Sequence, residues 1–217
     1  MSEIASALAG KFVVFDGPDG SGKSTQMQRF MQWSKEQGLV VKEVREPGGT
    51  AIGEQIRQVL LDPTNVEMTI QCEMLLYMAS RAQLVEQEIV PALRRGELVV
   101  ADRFVSATLA YQGSAGGLPT KCIQQVAEVA VSGHWPDITL ILDVDGVTAA
   151  GRLNPLLDRM ELKGREFHLR VREGFLEQAR QMPERYCVID SSQDEDAVEK
   201  AVQNAILKQF CKGIPQK

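Results

Sequence analysis

A short run of the chain has the residue types and spacing that bind phosphate groups. It reads Gly17-Pro18-Asp19-Gly20-Ser21-Gly22-Lys23-Ser24-Thr25. The run fits the pattern GxxxxGK[ST], whose glycines let successive backbone N–H groups converge on one anion. Lys23 can reach the β- and γ-phosphates of a nucleoside triphosphate, and the hydroxyl of Ser24 can bind Mg²⁺. An apolar run precedes the pattern and a helical pattern follows it, so the sequence predicts a triphosphate-binding loop.

Charged residues also follow two later apolar runs. Arg45 and Glu46 follow the second run and precede a tight turn that begins with Pro47. Asp102 and Arg103 follow the third run, and there a carboxylate can hold Mg²⁺ and a guanidinium can bind phosphate. In parallel α/β sheets, ligands bind beyond the carboxyl ends of the strands. We therefore expect these residues to surround one cleft with the phosphate loop.

Apolar runs and helical patterns alternate along the whole chain. The runs cover residues 12–15, 39–44, 98–101, 138–142 and 186–189, and we expect strands buried on both faces. Helical spacing predicts a helix after the phosphate loop, others near 52–60, over 73–90, around 122–129 and near 167–176, and one from 197. On the fourth of these, Cys122, Val126 and Val129 should share one face. The alternation predicts an α/β three-layer sandwich, in which a five-stranded parallel sheet has helices on both faces.

The chain is expected to form one domain over residues 11–211, with a loosely ordered tail at 1–10 and another at 212–217. A polar, arginine-bearing segment at about 150–163 is typical of a lid that closes over phosphates; a solvated connection between helices is the alternative. The stretch Asp143-Val144-Asp145-Gly146 matches the short DxxG pattern of a GTPase switch, but a turn that leads into a helix is favoured.

Composition excludes several classes of protein. The formal net charge is −5 and no basic block stands out, which argues against a nucleic-acid partner. No apolar run is as long as the ~18 residues that a membrane span needs. The four cysteines are widely spaced, with no CxxC pair, so we expect buried reduced thiols and a cytoplasmic protein rather than a zinc site.

Taken together, the motifs resemble those of bacterial thymidylate kinase from about Lys11 to the C-terminal helix. The ordered set is the phosphate loop, Arg45-Glu46-Pro47-Gly48-Gly49-Thr50, Asp102-Arg103-Phe104, Ala110-Tyr111-Gln112-Gly113 and Leu157-Asp158-Arg159-Met160-Glu161. The resemblance implies a P-loop fold of the nucleoside monophosphate kinase type. It also implies transfer of the γ-phosphoryl group of ATP to dTMP with Mg²⁺, giving ADP and dTDP for dTTP synthesis and DNA replication, in a homodimer.

The resemblance further implies roles for individual residues. ATP would be bound by residues 17–25 and by a loop over the adenine, Ser191, Ser192 and Gln193. Ser24 and Asp102 would hold the metal ion. The dTMP-binding set would be Asp19, Arg45, Pro47, Arg57, Tyr77, Arg81, Arg103, Thr108, Tyr111 and Gln112. Within that set Asp19 would face the 3′-hydroxyl, and Tyr111 would crowd the 2′ position. Tyr77 would stack on thymine, while Arg81 and Thr108 would contact the base. Lys23, Arg45 and Arg103 would act on the transferring phosphoryl group.

The chain departs from the family pattern at Gly20, a position where an arginine of the phosphate loop can act on the transferred group. The resemblance then implies that the lid supplies this arginine. Arg152 and Arg159 are the candidates. Arg152 is preferred because it leads into the lid, whereas Arg159 could form a structural pair with Asp158 or Glu161.

Two other functions stay open from the sequence: a kinase for another nucleoside monophosphate, and a GTP-binding switch. The switch would need a guanine-reading Asn-Lys-x-Asp, which the sequence lacks. An ATPase module of a larger assembly would need Leu-Ser-Gly-Gly-Gln, which is also absent.

Overall fold

The structure is a computed structural model that describes residues 2–152 and 159–211, apart from the side chains of Val147 and Ala150. The strands are β1 (Phe12–Asp16), β2 (Val41–Arg45), β3 (Leu98–Asp102), β4 (Ile138–Asp143) and β5 (Tyr186–Asp190). The α-helices are α1 (Glu3–Leu8), α2 (Lys23–Glu36), α3 (Ala51–Leu61), α4 (Ile70–Leu84), α5 (Val90–Arg94), α6 (Val105–Thr108), α7 (Thr120–Val131), α8 (Gly146–Arg152), α9 (Gly164–Gln181) and α10 (Glu195–Phe210). Two π-helical segments, Val85–Ile89 and Leu109–Ala115, continue α4 and α6.

All strands of the sheet are parallel, in the order β2-β3-β1-β4-β5, which confirms the predicted five-stranded parallel sheet. The three inner strands are buried along almost their whole length. Burial on both faces is wrong for β2 and β5, where Glu43 and Val188 are exposed. These are the edge strands, and the helices cover the margins of the sheet less completely than its centre.

Alternate residues of β1 enter two separate apolar cores, because successive side chains of a strand point to opposite faces. Phe12 and Val14 pack in the core that contains residues of α4 and α7. Val13 and Phe15 pack in the core that contains residues of α2 and α10. The predicted three-layer architecture is therefore confirmed.

The first helix corrects the expectation of a loosely ordered tail at residues 1–10. Ser2 caps α1, since its Oγ accepts a hydrogen bond from the backbone N–H of Ala5 at 3.1 Å. Ala5 and Leu8 are completely buried in the core beside α2 and α10. The tail prediction is wrong from Ser2 onward, because these apolar side chains lie on one helical face and cover the end of that core. The second predicted tail, 212–217, lies outside the described residues.

The helix predicted over 73–90 is longer than expected at both ends. Thr69 caps it at the start, since its Oγ1 accepts a hydrogen bond from the N–H of Cys72. Pro91 does not end it, because Pro91 lies in the first turn of α5, directly after a π-helical segment. Because proline has no N–H to donate, the helical hydrogen-bond pattern is interrupted at Pro91, where the π-helical segment gives way to α5.

The face predicted for α7 is correct only at Val126, which is partly buried against the core beside α4. Cys122 and Val129 are exposed, whereas Ile123, Ala127 and Ala130 are buried against the sheet and α4. Ile123 and Val131 are completely buried in the same core, so the buried face combines large apolar side chains with alanines. The exposed Cys72 and Cys122 also contradict the expectation of buried thiols.

The turn favoured over a GTPase switch is confirmed. Asp145 precedes α8 and caps it, since its carboxylate accepts hydrogen bonds from the backbone N–H and the hydroxyl of Thr148 at 3.0 and 2.6 Å. Within the described part of the chain, no helix is both long and apolar enough to cross a lipid bilayer.

The parallel register brings the predicted chemistry to one edge of the sheet. Asp102 pairs with Phe15 of β1 on one side and with Arg45 of β2 on the other. The carboxyl ends of β1, β2 and β3 therefore meet where the phosphate loop begins.

The buried position of Leu8 can be tested by the Leu8→Ala variant. Removing this fully buried side chain should lower the free energy of unfolding by about 2–4 kcal/mol, because it leaves a cavity at the end of the core. Urea unfolding followed by circular dichroism measures the change. Val66→Ala is the control, since the Val66 side chain is exposed and the variant should unfold like the wild type. An unchanged midpoint for Leu8→Ala would restore the tail interpretation.

Candidate functional site

The phosphate loop joins β1 to α2, and two of its glycines are required by close contacts. Gly17 and Gly20 have φ angles of 133° and 77°, in the region that favours glycine. A Cβ at Gly17 would clash with the carbonyl oxygen of Leu142, and a Cβ at Gly20 with that of Ala149 in α8. Position 20 therefore excludes any side chain in this arrangement, including the arginine that the family can place there.

Lys23 begins α2 and folds back over the loop. Its Nζ donates hydrogen bonds to the carbonyl oxygens of Gly17 and Pro18, at 3.1 and 2.8 Å. Burial disfavours its charged form and the Arg103 cation repels it, so its pKa falls to about 8. A bound anion would favour the charged form and raise that pKa again.

Arg103 follows β3 and is held in an unusual backbone conformation. Its φ is 69°, in the left-handed region, which costs a residue with a Cβ about 1–2 kcal/mol. Its backbone N–H donates to the carbonyl oxygen of Phe15 at 2.9 Å, and its guanidinium donates to Asp16 Oδ1 and the Gly17 carbonyl oxygen at 3.4 and 3.2 Å. It also forms an ion pair with Asp19. These contacts fix the guanidinium at the mouth of the loop.

Asp19 and Tyr111 meet on the same side of the loop as Arg103. The Tyr111 hydroxyl donates a hydrogen bond to Asp19 Oδ2 at 2.7 Å, and the Arg103 guanidinium lies 5.1 Å from the centre of the Tyr111 ring. Burial tends to raise the pKa of Asp19, but the cations of Arg103 and Lys23 outweigh it and the pKa is lowered. Burial raises the pKa of Tyr111 well above its usual value. At neutral pH the pair is thus a carboxylate acceptor with a hydroxyl donor.

Asp16 belongs to this cluster and was missed from the sequence. It is fully buried at the end of β1, where its carboxylate accepts hydrogen bonds from Ser106 Oγ at 2.6 Å and from the Gly17 N–H at 3.1 Å. Burial raises its pKa, although Arg103 opposes the shift. The signal was present: an acidic residue that ends a buried strand, as Asp102 does.

A cavity of about 380 Å³ lies over these groups. Of the predicted site residues, those that line it are Asp19, Gly20, Gly22, Lys23, Ser24, Thr25, Arg45, Pro47, Arg57, Tyr77, Asp102, Arg103, Thr108, Tyr111 and Gln112. A second cavity, of about 290 Å³, is lined by Gly20, Ser21, Gly22, Thr25, Arg152, Ser191 and Gln193 among them. The phosphate loop thus contributes to both cavities. Gly17, Pro18, Arg81, Arg159 and Ser192 line neither of them.

Two arginines stand at the rim of the larger cavity. Arg45 forms an ion pair with Glu54, with distances of 2.8 and 2.9 Å from its NH2 to the two carboxylate oxygens. Arg57 donates a hydrogen bond to the Pro47 carbonyl oxygen at 3.0 Å. The peptide bond between Glu46 and Pro47 is cis.

Arg81 lies behind the wall of that cavity. Its side chain is 1% exposed and forms an ion pair with Glu46, whose side chain is 3% exposed. Its NH1 also donates to Thr108 Oγ1 at 3.2 Å. Burial raises the pKa of Glu46, although Arg81 opposes the shift. Glu46 and Thr108 line the cavity, so Arg81 supports its wall, and the contact of Arg81 with a base stays a prediction.

The two candidate lid arginines occupy different sides of the site. Arg152 is exposed at the end of α8 and donates to the Ser191 carbonyl oxygen at 3.2 Å. Arg159 is largely buried and donates to the Leu60 carbonyl oxygen at 2.7 Å and to Glu73 at 2.6 Å. The sequence pairs Arg159 with Asp158 or Glu161, whereas the structure shows an ion pair of Arg159 with Glu73. Residues 153–158 of the predicted lid, including Asp158, lie outside the described residues.

The two residues predicted to bind the metal both line the larger cavity. Oδ1 of Asp102 is buried and accepts no hydrogen bond from any described residue. A buried carboxylate oxygen without a donor suits a cation. Among the described residues, no cluster of three or more histidine, cysteine or acidic side chains is arranged to hold a metal ion.

The serine loop after β5 closes the second cavity from one side. Ser191 Oγ donates to the Asp143 carbonyl oxygen at 2.7 Å, which ties the ends of β4 and β5 together. Ser192 and Gln193 both donate to the Asp190 carboxylate. The loop is thus held from within and presents Ser191 and Gln193 to the cavity.

Comparisons with known proteins agree with this geometry. Residues 15–202 match the family model for thymidylate kinase. The thymidylate kinase of Caldanaerobacter subterraneus subsp. tengcongensis is 42% identical over 95% of this chain and 99% of that protein, and the one from Symbiobacterium thermophilum is 45% identical over 90% and 92%. The crystal structure of thymidylate kinase from Ehrlichia chaffeensis superimposes with a TM-score of 0.76 at 32% identity, over 91% of this chain and 98% of that one. This chain therefore belongs to the thymidylate kinase family.

Proposed function

We propose that this protein transfers the γ-phosphoryl group of ATP to dTMP, giving ADP and dTDP for the synthesis of dTTP. The observation that carries the proposal is the position of the phosphate loop between two cavities. Phosphoryl transfer requires a donor and an acceptor on opposite sides of one set of positive charges. Family membership supports the identity of both nucleotides.

On the donor side, the backbone N–H groups of the phosphate loop and Lys23 bind the phosphates of ATP. Lys23 Nζ donates to two carbonyl oxygens of the loop, and it would exchange them for phosphate oxygens when ATP binds. Ser191, Ser192 and Gln193 lie over the adenine. Bound Mg²⁺ would neutralise charge on the phosphates, and Ser24 together with Asp102 would hold it.

On the acceptor side, the Arg103 cluster orients dTMP. Asp19 accepts a hydrogen bond from the 3′-hydroxyl, and Tyr111 fills the space where a ribose 2′-hydroxyl would lie. Both already contact each other in the larger cavity, so the sugar meets a prearranged pair. Arg45, Arg57 and Arg103 bind the acceptor phosphate and the transferring group, while Tyr77, Thr108 and Gln112 line the base pocket with Pro47 at its edge.

Arg152 supplies the remaining positive charge on the transferred group. Its guanidinium lies beside the phosphate loop, and a Cβ at Gly22 would come within 4.0 Å of its NH1. Arg159 faces the acceptor side and is bound to Glu73. We therefore assign catalysis to Arg152 and support of the acceptor wall to Arg159.

We also propose a cytoplasmic homodimer formed through α3, α4 and α7. These helices pack side by side and expose Ile52, Leu75 and Val129. Apolar side chains exposed on neighbouring helices are typical of an interface. A two-fold contact would bury this surface on both copies.

The substrate assignment is tested by a panel of dTMP, dUMP, UMP, CMP, AMP and GMP with ATP and Mg²⁺. We expect dTMP to have the highest kcat/KM, because the Asp19–Tyr111 pair favours deoxyribose and the base pocket favours thymine. A coupled ADP-release assay measures all six rates. If another monophosphate has the highest kcat/KM, the protein is a kinase of different specificity. If the chain binds GTP tightly and transfers phosphate to none of them, it is a switch protein.

The lid assignment is tested by Arg152→Ala and Arg159→Ala. Losing a charge clamp on the transferring group should lower kcat about 10²–10³-fold in Arg152→Ala, with little change in stability. Arg159→Ala leaves the buried Glu73 with fewer donors and should mainly lower the melting temperature. Steady-state kinetics measures the loss of kcat, and thermal unfolding measures the change in melting temperature.

Arg180→Ala is the matched control for the lid variants, because Arg180 is an exposed arginine of α9 paired with Glu173 and Glu177. Its kcat and melting temperature should equal those of the wild type. A kcat within threefold of wild type for Arg152→Ala, together with a 10²-fold loss for Arg159→Ala, would exchange the two roles.

The dimer is tested by Leu75→Lys, which places a charge on the proposed interface and should shift the protein from dimer to monomer. Light scattering after size-exclusion chromatography gives the mass. Leu169→Lys is the matched control, since Leu169 is an exposed leucine of α9, outside the three helices. A dimer that persists in Leu75→Lys, or a wild-type monomer, contradicts the proposed interface.

A further inference from the structure

Glu73, in the first turn of α4, is a buried carboxylate for which none of the sequence motifs predicts a role. Its side chain is 1% exposed. Its Oε1 accepts a hydrogen bond from Gln112 Nε2 at 2.7 Å. Its Oε2 accepts from Arg159 NH2 at 2.6 Å, and Lys163 Nζ lies 3.2 and 3.0 Å from Oε1 and Oε2. Glu73 thus joins a residue of the larger cavity to two cations at the C-terminal end of the predicted lid segment.

The charge state of Glu73 decides what it can do for Gln112. Burial tends to raise its pKa, but the hydrogen bond from Gln112 and the cations Lys163 and Arg159 outweigh it, so the pKa is lowered. Glu73 is therefore ionised at neutral pH, and an ionised carboxylate only accepts hydrogen bonds. The amide of Gln112 must consequently turn its NH₂ group toward Glu73.

The orientation of the amide leaves its oxygen for the cavity. Gln112 lines the larger cavity, where dTMP is proposed to bind. Its Nε2 is engaged by Glu73, while its Oε1 accepts no hydrogen bond from the described residues and is not sealed from the solvent. A ligand in the cavity therefore meets a carbonyl acceptor at this position.

We propose that Glu73 is a positioning residue that fixes the Gln112 amide with its oxygen toward the acceptor base, and thereby selects bases that carry N3–H. This inference rests on the proposed function. Thymine and uracil carry a proton on N3 and can donate it to Oε1 of Gln112. Cytosine has an unprotonated N3 that only accepts, so it would face the amide oxygen with a second acceptor. Two buried acceptors that face each other both stay without a hydrogen bond. This cost lets a hydrogen-bonding site reject the wrong base with high selectivity.

The Glu73→Gln variant should invert this preference. Arg159 and Lys163 can only donate, so the carbonyl oxygen of the new amide would take the place of Oε2 beside them. Its NH₂ group would then occupy the place of Oε1, face Gln112 and displace the Lys163 ammonium, which lies 3.2 Å from Oε1 and contacts Oε2 as well. Gln112 would turn its oxygen toward position 73 and its NH₂ group toward the base, where it matches the N3 of cytosine.

The experiment measures kcat/KM for dTMP and dCMP in the wild type and in Glu73→Gln. We expect the ratio of dTMP to dCMP to fall at least tenfold in the variant. Lys163→Gln is the matched control: it removes one partner of Glu73 but keeps the carboxylate that Gln112 faces, so its ratio should stay within threefold of the wild type. A role of Glu73 in folding alone would lower both rates together and leave the ratio unchanged.

The double variant Glu73→Gln with Lys163→Gln guards against a folding defect, because it removes one buried anion and one cation together. The ratio also does not depend on the fraction of enzyme that is folded. A ratio within threefold of the wild type in both Glu73→Gln and the double variant would overturn the inference. Wild-type enzyme that leaves dTMP unphosphorylated would instead refute the proposed function, so the two failures are distinguishable.

Discussion

The ion cluster around Arg103 is the constraint on which the site depends. Its guanidinium bridges Asp16, at the end of β1, and Asp19, inside the phosphate loop. Burying a charge costs several kcal/mol unless it is paired and hydrogen-bonded. Here the cation, the two carboxylates and the Ser106 hydroxyl satisfy one another, so the cluster is tolerated beside the apolar core. The left-handed backbone at Arg103 persists because these contacts fix the residue from both ends.

Gly20 shows how a backbone contact can limit where catalytic charge is placed. Gly20 stands where the family can place an arginine, so the sequence predicts that the lid supplies this positive charge instead. In the structure Gly20 is also the point where the phosphate loop touches the carbonyl oxygen of Ala149. The contact brings α8 against the loop and leaves Arg152, at the end of α8, next to it. The contact between Gly20 and Ala149 thus excludes a side chain at position 20 and also brings the Arg152 cation close to the phosphate loop.

The sequence predicted the features that depend on local pattern. The phosphate loop and the parallel sheet follow from glycine spacing and from the alternation of apolar runs with helical patterns. Features that depend on which surfaces meet in three dimensions were missed. On α7, Ile123, Ala127 and Val131 follow the helical spacing of the buried face, but the apolar Val129 also fits a helical face, and only the packing shows that it is exposed. The sequence predicts a loosely ordered tail around Leu8, because the apolar residues that bury Leu8 lie on α2 and α10, far away in sequence.

The roles of the buried polar groups were the hardest to predict, because each role depends on the hydrogen-bond partners that the fold brings to the group. Glu73 sits within an amphipathic helical pattern, and only the folded chain brings Gln112 and Arg159 to its two oxygens. An apolar residue at this position would avoid the cost of desolvating a carboxylate, so stability alone does not explain a charge there. A carboxylate, however, has one property that an apolar group and an amide lack: it can only accept. That restriction converts the rotatable Gln112 amide into a group with a fixed polarity, which is what discrimination between donor and acceptor edges of a base requires.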